Sequence, residues 1–383
     1  MPAEGRRRPV WAEVSRSAVS HNVGAMRAVL GDSALCAVVK ADAYGHGALI
    51  VASAALGAGA ETLAVAIVDE GIELRRAGVT APIILLGEVE RSGLGDALAH
   101  SLTLTIGSIG GARAAVAAAE RAGGVHRVHV KVDTGMHRLG AAPDDVEEVV
   151  GVLAASPSID LEGLYTHFSV ADGSNQEDRA FTKSQLALFR SVVATLGAKG
   201  LVPRVLHAAN SAGALGLAES RLDQARVGLA LYGYLPDPWL TGALEEAGVT
   251  LEPALSLRAR VVAVRRVEAG ARPSYRRRRE LARRSTIATV PLGYADGFPR
   301  RLFDAGAQVL VNGQRYPLAG NVTMDQIVID CADDGVSIGD EVVLIGRQGD
   351  EAISADDWAR WAGTISYEVL CGIGARVLRV AVD

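Results

Sequence analysis

Between residues 35 and 231, short runs of valine, isoleucine and leucine alternate with longer alanine-rich stretches of helical spacing, and they do so eight times. The runs are LCAVV (35–39), TLAVAIV (62–68), PIILLG (82–87), LTLTI (102–106), RVHVKVD (127–133), LEGLYTH (161–167), RVLHAAN (204–210) and ARVGLALYG (225–233). Segments such as VDEGIELRRAG and FTKSQLALFRSVVATLG lie between them, the second with apolar residues at steps of three and four. Few folds accept such a pattern. Eight parallel strands with intervening helices predict an α/β chain built on an eight-stranded TIM-type (β/α)8 barrel, at about the usual size of that fold. Beyond residue 245 the texture changes to short strands, in LSLRARVVAVRRV, STIATVPLG, QVLVNGQRYPL, QIVIDCADD, DEVVLIG and ARVLRVAVD, with Asn312-Gly313 a strong hairpin signal. Only ISADDWARWAG reads as helical there. The expected division is a barrel over 1–245, its first ten or so residues packing on the second domain, and a mainly β domain over 246–383.

A chain of 383 residues is long enough for one large and one smaller core. Its formal net charge of −5 gives nucleic acid no basic surface to bind, and no segment approaches the ~20 apolar residues that span a bilayer. The opening MPAEGRRRPVWAEV has a basic cluster without an apolar stretch after it, so it fails as a secretory signal. Cys36, Cys331 and Cys371 are odd in number and lack metal-ligand spacing, which fits reduced packing residues better than disulfides. The expectation is a soluble, cytoplasmic protein.

Barrel chemistry sits at the C-terminal ends of the strands. Lys40 ends run one, Lys131 and Asp133 end run five with Arg138 just beyond, His167 ends run six, Asn210 and Ser211 end run seven, and Gly228 lies in run eight. A strand-end lysine alone is usually a solvated cap, but so many polar residues on one rim point to a site. The rim holds no carboxylate pair for glycoside hydrolysis and no ligand set for a metal. His126 and His129, three apart on a strand, face opposite sides and read as ordinary strand residues; His46 reads as a local turn residue. A buried lysine, its pKa drawn below ~10.4, can form a Schiff base with a substrate carbonyl or with pyridoxal phosphate. The small-residue segments NSAGAL after run seven and VGLALYG at run eight are where barrels hold a phosphate, which favours the cofactor.

The strings VVKADAYGHGA, KVDTGMHRLG, THFSVAD, AANSAGAL, ARVGLALYG, VPLGYADGFPR, NVTMDQ and SYEVLCGIGARV, in that order, resemble bacterial alanine racemases, fold-type III pyridoxal phosphate enzymes, over nearly the whole chain. The resemblance implies that Lys40 carries pyridoxal 5'-phosphate and serves D-alanine as base, while Tyr275 serves L-alanine from the partner subunit of a homodimer. It places Tyr44, Asn210, Ser211, Gly228, Leu229 and Tyr367 around the cofactor, mostly at its phosphate. Arg226 falls at the pyridine nitrogen with His167 linked to it. Arg138 and Met324 fall at the substrate, and Lys131 matches a lysine that is often carbamylated and steadies Arg138. Tyr367 and the Tyr294 region narrow the entrance. An arginine against the ring nitrogen leaves it unprotonated and suppresses transamination. Tyrosine is a poor base at its usual pKa of ~10, so Tyr275 needs positive charge nearby, for which Arg138 is the expected source.

One departure stands out: the family usually has glycine after its catalytic tyrosine, and this chain has Arg276, opening RRRR. If that glycine sits at positive φ, arginine costs on the order of 1 kcal/mol. The run itself reads first as a solvated basic loop and second as a field drawing in a carboxylate substrate. The implied activity is alanine racemisation supplying D-alanine for peptidoglycan. Two alternatives stay open, a racemase of another small amino acid such as serine and a non-catalytic pyridoxal phosphate carrier; the second domain argues against the latter.

Overall fold

Eight parallel strands, Ala34–Val38, Thr62–Val65, Ile83–Glu88, Thr103–Ile106, His126–Lys131, Ile159–Tyr165, Val205–His207 and Gln224–Val227, form one sheet in a computed structural model that describes residues 8–383. Strands one to seven pair in chain order, and the eighth pairs with the first. At the remaining seam the Asp223 N–H donates to the Leu206 carbonyl (3.0 Å) and the Arg226 N–H to the Ala209 carbonyl (2.9 Å), so the barrel is nearly closed. Parallel strands are covered on both faces, which is why they read as mostly apolar runs. Leu35, Cys36, Ala37, Leu63, Ile83, Ile84, Leu104, Val128 and Leu164 are all buried. The longest crossover helix, Gln176–Gly197, buries Thr182, Gln185, Leu186, Phe189, Val192 and Leu196 along one stripe.

Runs seven and eight are shorter as strands than expected. Asn210 leaves the sheet to cap the helix Ser211–Gly216, accepting the Gly213 N–H (2.8 Å), and a 3-10 turn, Leu229–Tyr232, follows the eighth strand.

The chain divides into two compact units. One comprises Ser17–Ala43 and Ala48–Glu252, and the other the stretch ending at Arg16, Tyr44–Gly47 and Pro253–Asp383. Of the N-terminal residues expected on the second domain, the first seven lie outside the described residues. The strand Val10–Ser15 runs between Leu255–Arg260 (antiparallel) and Leu378–Val382 (parallel). This larger sheet continues through Glu341–Gln348, Gln308–Val311 and Gln314–Pro317, with Glu351–Ile353 attached. Asn312 and Gly313 turn its hairpin at φ 52° and 76°, the left-handed pair a type I′ turn requires.

LSLRARVVAVRRV is two strands rather than one. Leu255–Arg260 lies in the large sheet, and Ala263–Val267 pairs with Ser285–Val290 in a three-stranded sheet completed by Ile327–Asp330. A second helix, Ser366–Cys371, follows Ala355–Ala362, correcting the expectation of one. It leaves Cys371 exposed, so that thiol is not a packing residue, whereas Cys36 and Cys331 are buried. No described helix is long and apolar enough to cross a membrane.

Candidate functional site

The first strand stops at Val38, and Lys40 opens a turn of unusual hand. Ala41, Asp42, Ala43 and Tyr44 have φ of 52°, 51°, 54° and 52°, four successive left-handed residues of which none is glycine. Each costs roughly 1–2 kcal/mol, so local propensity alone would unwind the turn. Polar groups hold it instead. Glu70 accepts the Ala41 N–H (2.6 Å), and its other oxygen takes the Ala66 N–H (2.8 Å). Asp42 accepts the Ala48 N–H (2.7 Å), and the Ala43 N–H reaches back to the Val39 carbonyl. Those roles explain why so polar a segment follows a buried strand. His46 lies in this turn, as expected, but is fully buried with Nδ1 3.0 Å from the Tyr44 carbonyl.

Lys40 lines a cavity of about 230 Å³ in the barrel unit together with Lys131, Arg138, Tyr165, His167 and Arg226; Ala66, Leu86, Gly87 and Leu139 complete its wall. No carboxylate lines it. Arg226 is buried, and both terminal nitrogens of its fork are bonded. Nη1 donates to His207 Nδ1 (2.8 Å), and Nη2 to the carbonyls of Thr166 (2.8 Å) and Ala208 (3.0 Å) and to His167 Nδ1 (3.1 Å). Tyr165 stacks on His207 at 4.5 Å beneath the guanidinium. Burial, then the charges of Arg226, Lys131 and Arg138, push His167 well below the usual histidine range, so it accepts from Arg226 as a neutral ring.

Arg138 comes from KVDTGMHRLG, a loop folded back on itself. Asp133 accepts the Gly135 and His137 N–H groups, and Lys131 and Asp133 bond Ala141 through the backbone. Gly140 sits at φ 128°, where a Cβ would lie 2.8 Å from the Asp133 nitrogen. Lys131 is 4% exposed, and burial, with Arg138 next, lowers its pKa to about 8. The unfolded chain holds that proton up to ~10.4 and the folded one loses it near 8, so between these pH values the unfolded state binds more protons and stability rises with pH. In CO2-free buffer the protein should therefore gain on the order of 3 kcal/mol relative to Lys131→Met between pH 8 and 10.5. Urea titrations across that range measure it, and parallel curves for the two proteins would refute it.

The two small-residue loops of the barrel are stitched together, the Gly228 N–H donating to Ser211 Oγ (2.9 Å) beside Leu229. Asn210 caps the helix that Ser211 begins. In the other unit Tyr44 and Tyr367 pair with ring centroids 5.8 Å apart. Burial, then Tyr367, raises the Tyr44 phenol above its ordinary value, so it keeps its proton and can donate. An amine, a cationic fork and backbone-rich small-residue loops form a donor set that fits pyridoxal phosphate. Among the described residues no group of three or more His, Cys, Asp or Glu could hold a metal.

Tyr275 and Met324 lie in the C-terminal unit. They line a depression of about 770 Å³ with Arg276, Tyr294, Arg300 and the segment Val322–Gln326. Asn321, buried, donates to the Tyr275 carbonyl (2.8 Å) and accepts from Ser274 Oγ (2.6 Å), tying the Tyr275 loop to the Met324 loop. The latter also takes the Tyr294 N–H on Thr323 (3.0 Å) and the Ala295 N–H on Met324 (3.0 Å), an approach that only glycine at 293 allows. Arg276 has φ 62°, the left-handed value anticipated for its position. Arg276→Gly should stabilise the protein by roughly 0.5–1 kcal/mol in urea denaturation; a loss would mean the arginine side chain makes up for its backbone. The arginine run is more than a solvated loop, because Arg278 pairs with Asp304 (2.6 Å) and Arg279 with Asp330 (2.9 Å).

The structure thus gathers Lys40, Lys131, Arg138, His167 and Arg226 at one cavity, Asn210, Ser211, Gly228 and Leu229 at adjoining loops, and Tyr275 with Met324 at a depression of the other unit. Sequence reasoning missed Tyr165, His207 and Asn321, though all lie in or beside the quoted strings. It also misjudged His129, which is no ordinary strand residue: it is 2% exposed and bonded to both His207 and Glu162.

Profiles of the alanine racemase N-terminal and C-terminal domains match residues 14–236 and 254–381. An alanine racemase of Symbiobacterium thermophilum is 44% identical over 375 residues, 97% of each chain. The crystal structure of alanine racemase from Bacillus anthracis with bound L-Ala-P superposes with a TM-score of 0.91 at 37% identity, covering 99% of this chain and 96% of that one. A histidine racemase from Leuconostoc mesenteroides superposes at 0.89 with 28% identity, covering 99% of both.

Proposed function

This chain belongs to the alanine racemase family, and we infer that it interconverts L- and D-alanine with pyridoxal 5'-phosphate held on Lys40, supplying D-alanine for peptidoglycan. The observation that carries this reading is the carboxylate-free cavity in which the Lys40 amine faces the same space as a buried Arg226 held through both terminal nitrogens. Pyridoxal phosphate, when bound, supplies the electron sink that makes an amino acid's α-proton removable. The chain's own residues do the rest. Tyr44, Ser211, Gly228, Leu229 and Tyr367 would hold the phosphate, with Asn210 beside them at the cofactor. Arg226, a cation with no lone pair to spare, would face the pyridine nitrogen and would not pass it a proton at neutral pH. Arg138 takes the substrate carboxylate and Met324 borders it.

The Lys40 amine moves the proton at Cα on one face, and Tyr275 moves it on the other. Tyr275 is 72% exposed and Met324 53%, as expected of side chains that complete the site of a second copy in a homodimer. Lys131, with its pKa near 8, has enough neutral amine to add CO2 and release a proton to water, giving an anionic carbamate to hold Arg138. The protein incubated with L-alanine in heavy water should exchange the α-proton with inversion. Bound cofactor without exchange would indicate a carrier. Exchange with other amino acids alone would move the specificity, as the histidine racemase shows for this fold.

A further inference from the structure

Behind Arg226 a row of side chains leads away from the cavity through the barrel interior. His207 Nδ1 receives Arg226 Nη1 at 2.8 Å, and His207 Nε2 lies 2.9 Å from His129 Nδ1. His129 Nε2 lies 3.2 Å from Glu162 Oε2, and Glu162 Oε1 meets Arg204 Nη2 at 2.9 Å near the surface. Each proton in the row can be placed by elimination. A guanidinium only donates, so His207 Nδ1 must bear a lone pair and its one proton is on Nε2. That proton points at His129 Nδ1, which must accept, so the His129 proton is on Nε2 and points at the carboxylate. An imidazolium at His129 would set N–H against N–H.

Two backbone features build this row. Val128 faces Leu161 and His129 faces Gly163, so Glu162 is the extra residue of a β-bulge, the device that re-aims a side chain. Gly163 is the seat for the imidazole: a Cβ there would come within 2.4 Å of His129 Nδ1.

We propose that Glu162 is a positioning residue of the racemase, fixing through the tautomers of His129 and His207 the orientation of the Arg226 fork. The row aligns two imidazole dipoles with their negative ends toward Arg226, which strengthens the one acceptor on Nη1 and keeps the buried guanidinium charged and in plane. The functional part rests on Arg226 facing the pyridine nitrogen; the proton order does not.

The test begins with ¹⁵N-histidine-labelled protein, His129→Asn serving for assignment. His129 and His207 should both show the neutral Nε2–H pattern, with or without cofactor, and an imidazolium or an Nδ1–H form at either would overturn the proposal. Glu162→Leu holoenzyme should lose about tenfold in kcat with KM within twofold, because the substrate is held elsewhere. Glu162→Gln, whose amide oxygen still accepts from His129, should recover most of that loss. Gly163→Ala should reproduce the Glu162→Leu kinetics by displacing the ring, and it covers the case in which leucine at 162 fails to fold. Unchanged kcat in Glu162→Leu or Gly163→Ala, or equal losses in the leucine and glutamine variants, would refute the positioning role. If the protein bound no pyridoxal phosphate, the functional reading would fail while the measured tautomers could still stand.

Discussion

Lys40→Ala, purified from cells supplied with the vitamin, should lack the visible absorption of bound pyridoxal phosphate and racemise alanine on the order of 10⁴-fold more slowly or worse. The expectation follows from where the backbone spends its energy. Four left-handed residues after Lys40 cost roughly 1–2 kcal/mol each, and Glu70 and Asp42 supply the acceptors that keep the turn. Such an arrangement persists only where surrounding structure over-determines it, and here it sets the course of the chain directly after the lysine. Lys131, wherever it is not carbamylated, is the second amine of the cavity, with a pKa near 8, and is the natural understudy. Residual activity in Lys40→Ala that disappears in the Lys40→Ala/Lys131→Ala double variant would assign it that part. Full activity in the single variant would end the reading of Lys40 as the cofactor's anchor. Because Glu70 and Asp42 hold the turn, the variant should retain its fold, which circular dichroism checks.

How much of this was legible follows from how each feature is encoded. Barrel strands buried on both faces are predominantly apolar, so all eight could be read, and rim residues followed from the rule that strand C-terminal ends carry chemistry. Asn312-Gly313 could be read because a two-residue hairpin demands left-handed φ at both positions. The Glu162–His129 bond could not, since it depends on a one-residue bulge that no alternation pattern announces. The Leu255–Val267 run hid its break because both halves are strands and differ only in which sheet each joins, a long-range choice. Ser366–Cys371 is too short for helical periodicity to show. Strain in the turn after Lys40 was equally silent, because three of its four residues are alanine or tyrosine, which carry no mark of a left-handed backbone.

Tyr275→Phe should separate the two faces of the reaction. With the hydroxyl gone, exchange of L-alanine's α-proton in heavy water should fall about 10²–10⁴-fold, while some exchange of D-alanine, served by Lys40, persists. The variant keeps the ring and the backbone clamp of Asn321 on the Tyr275 carbonyl, so the change is confined to one oxygen. Equal losses for both enantiomers would mean that Tyr275 acts on binding or assembly rather than on one face, and no loss would remove it from the chemistry. Arg276→Gly serves as the control for the left-handed residue beside it, since relief of strain alone should leave the L-to-D exchange ratio unchanged. The two variants together test sharing of the site. A refolded equal mixture of Lys40→Ala and Tyr275→Phe chains would hold half its dimers as mixed pairs, each with one site containing both substitutions and one containing neither, so about a quarter of the original activity should return. If Lys40 and Tyr275 of the same chain worked together, every site would carry one defect and the mixture would stay as inactive as its parts.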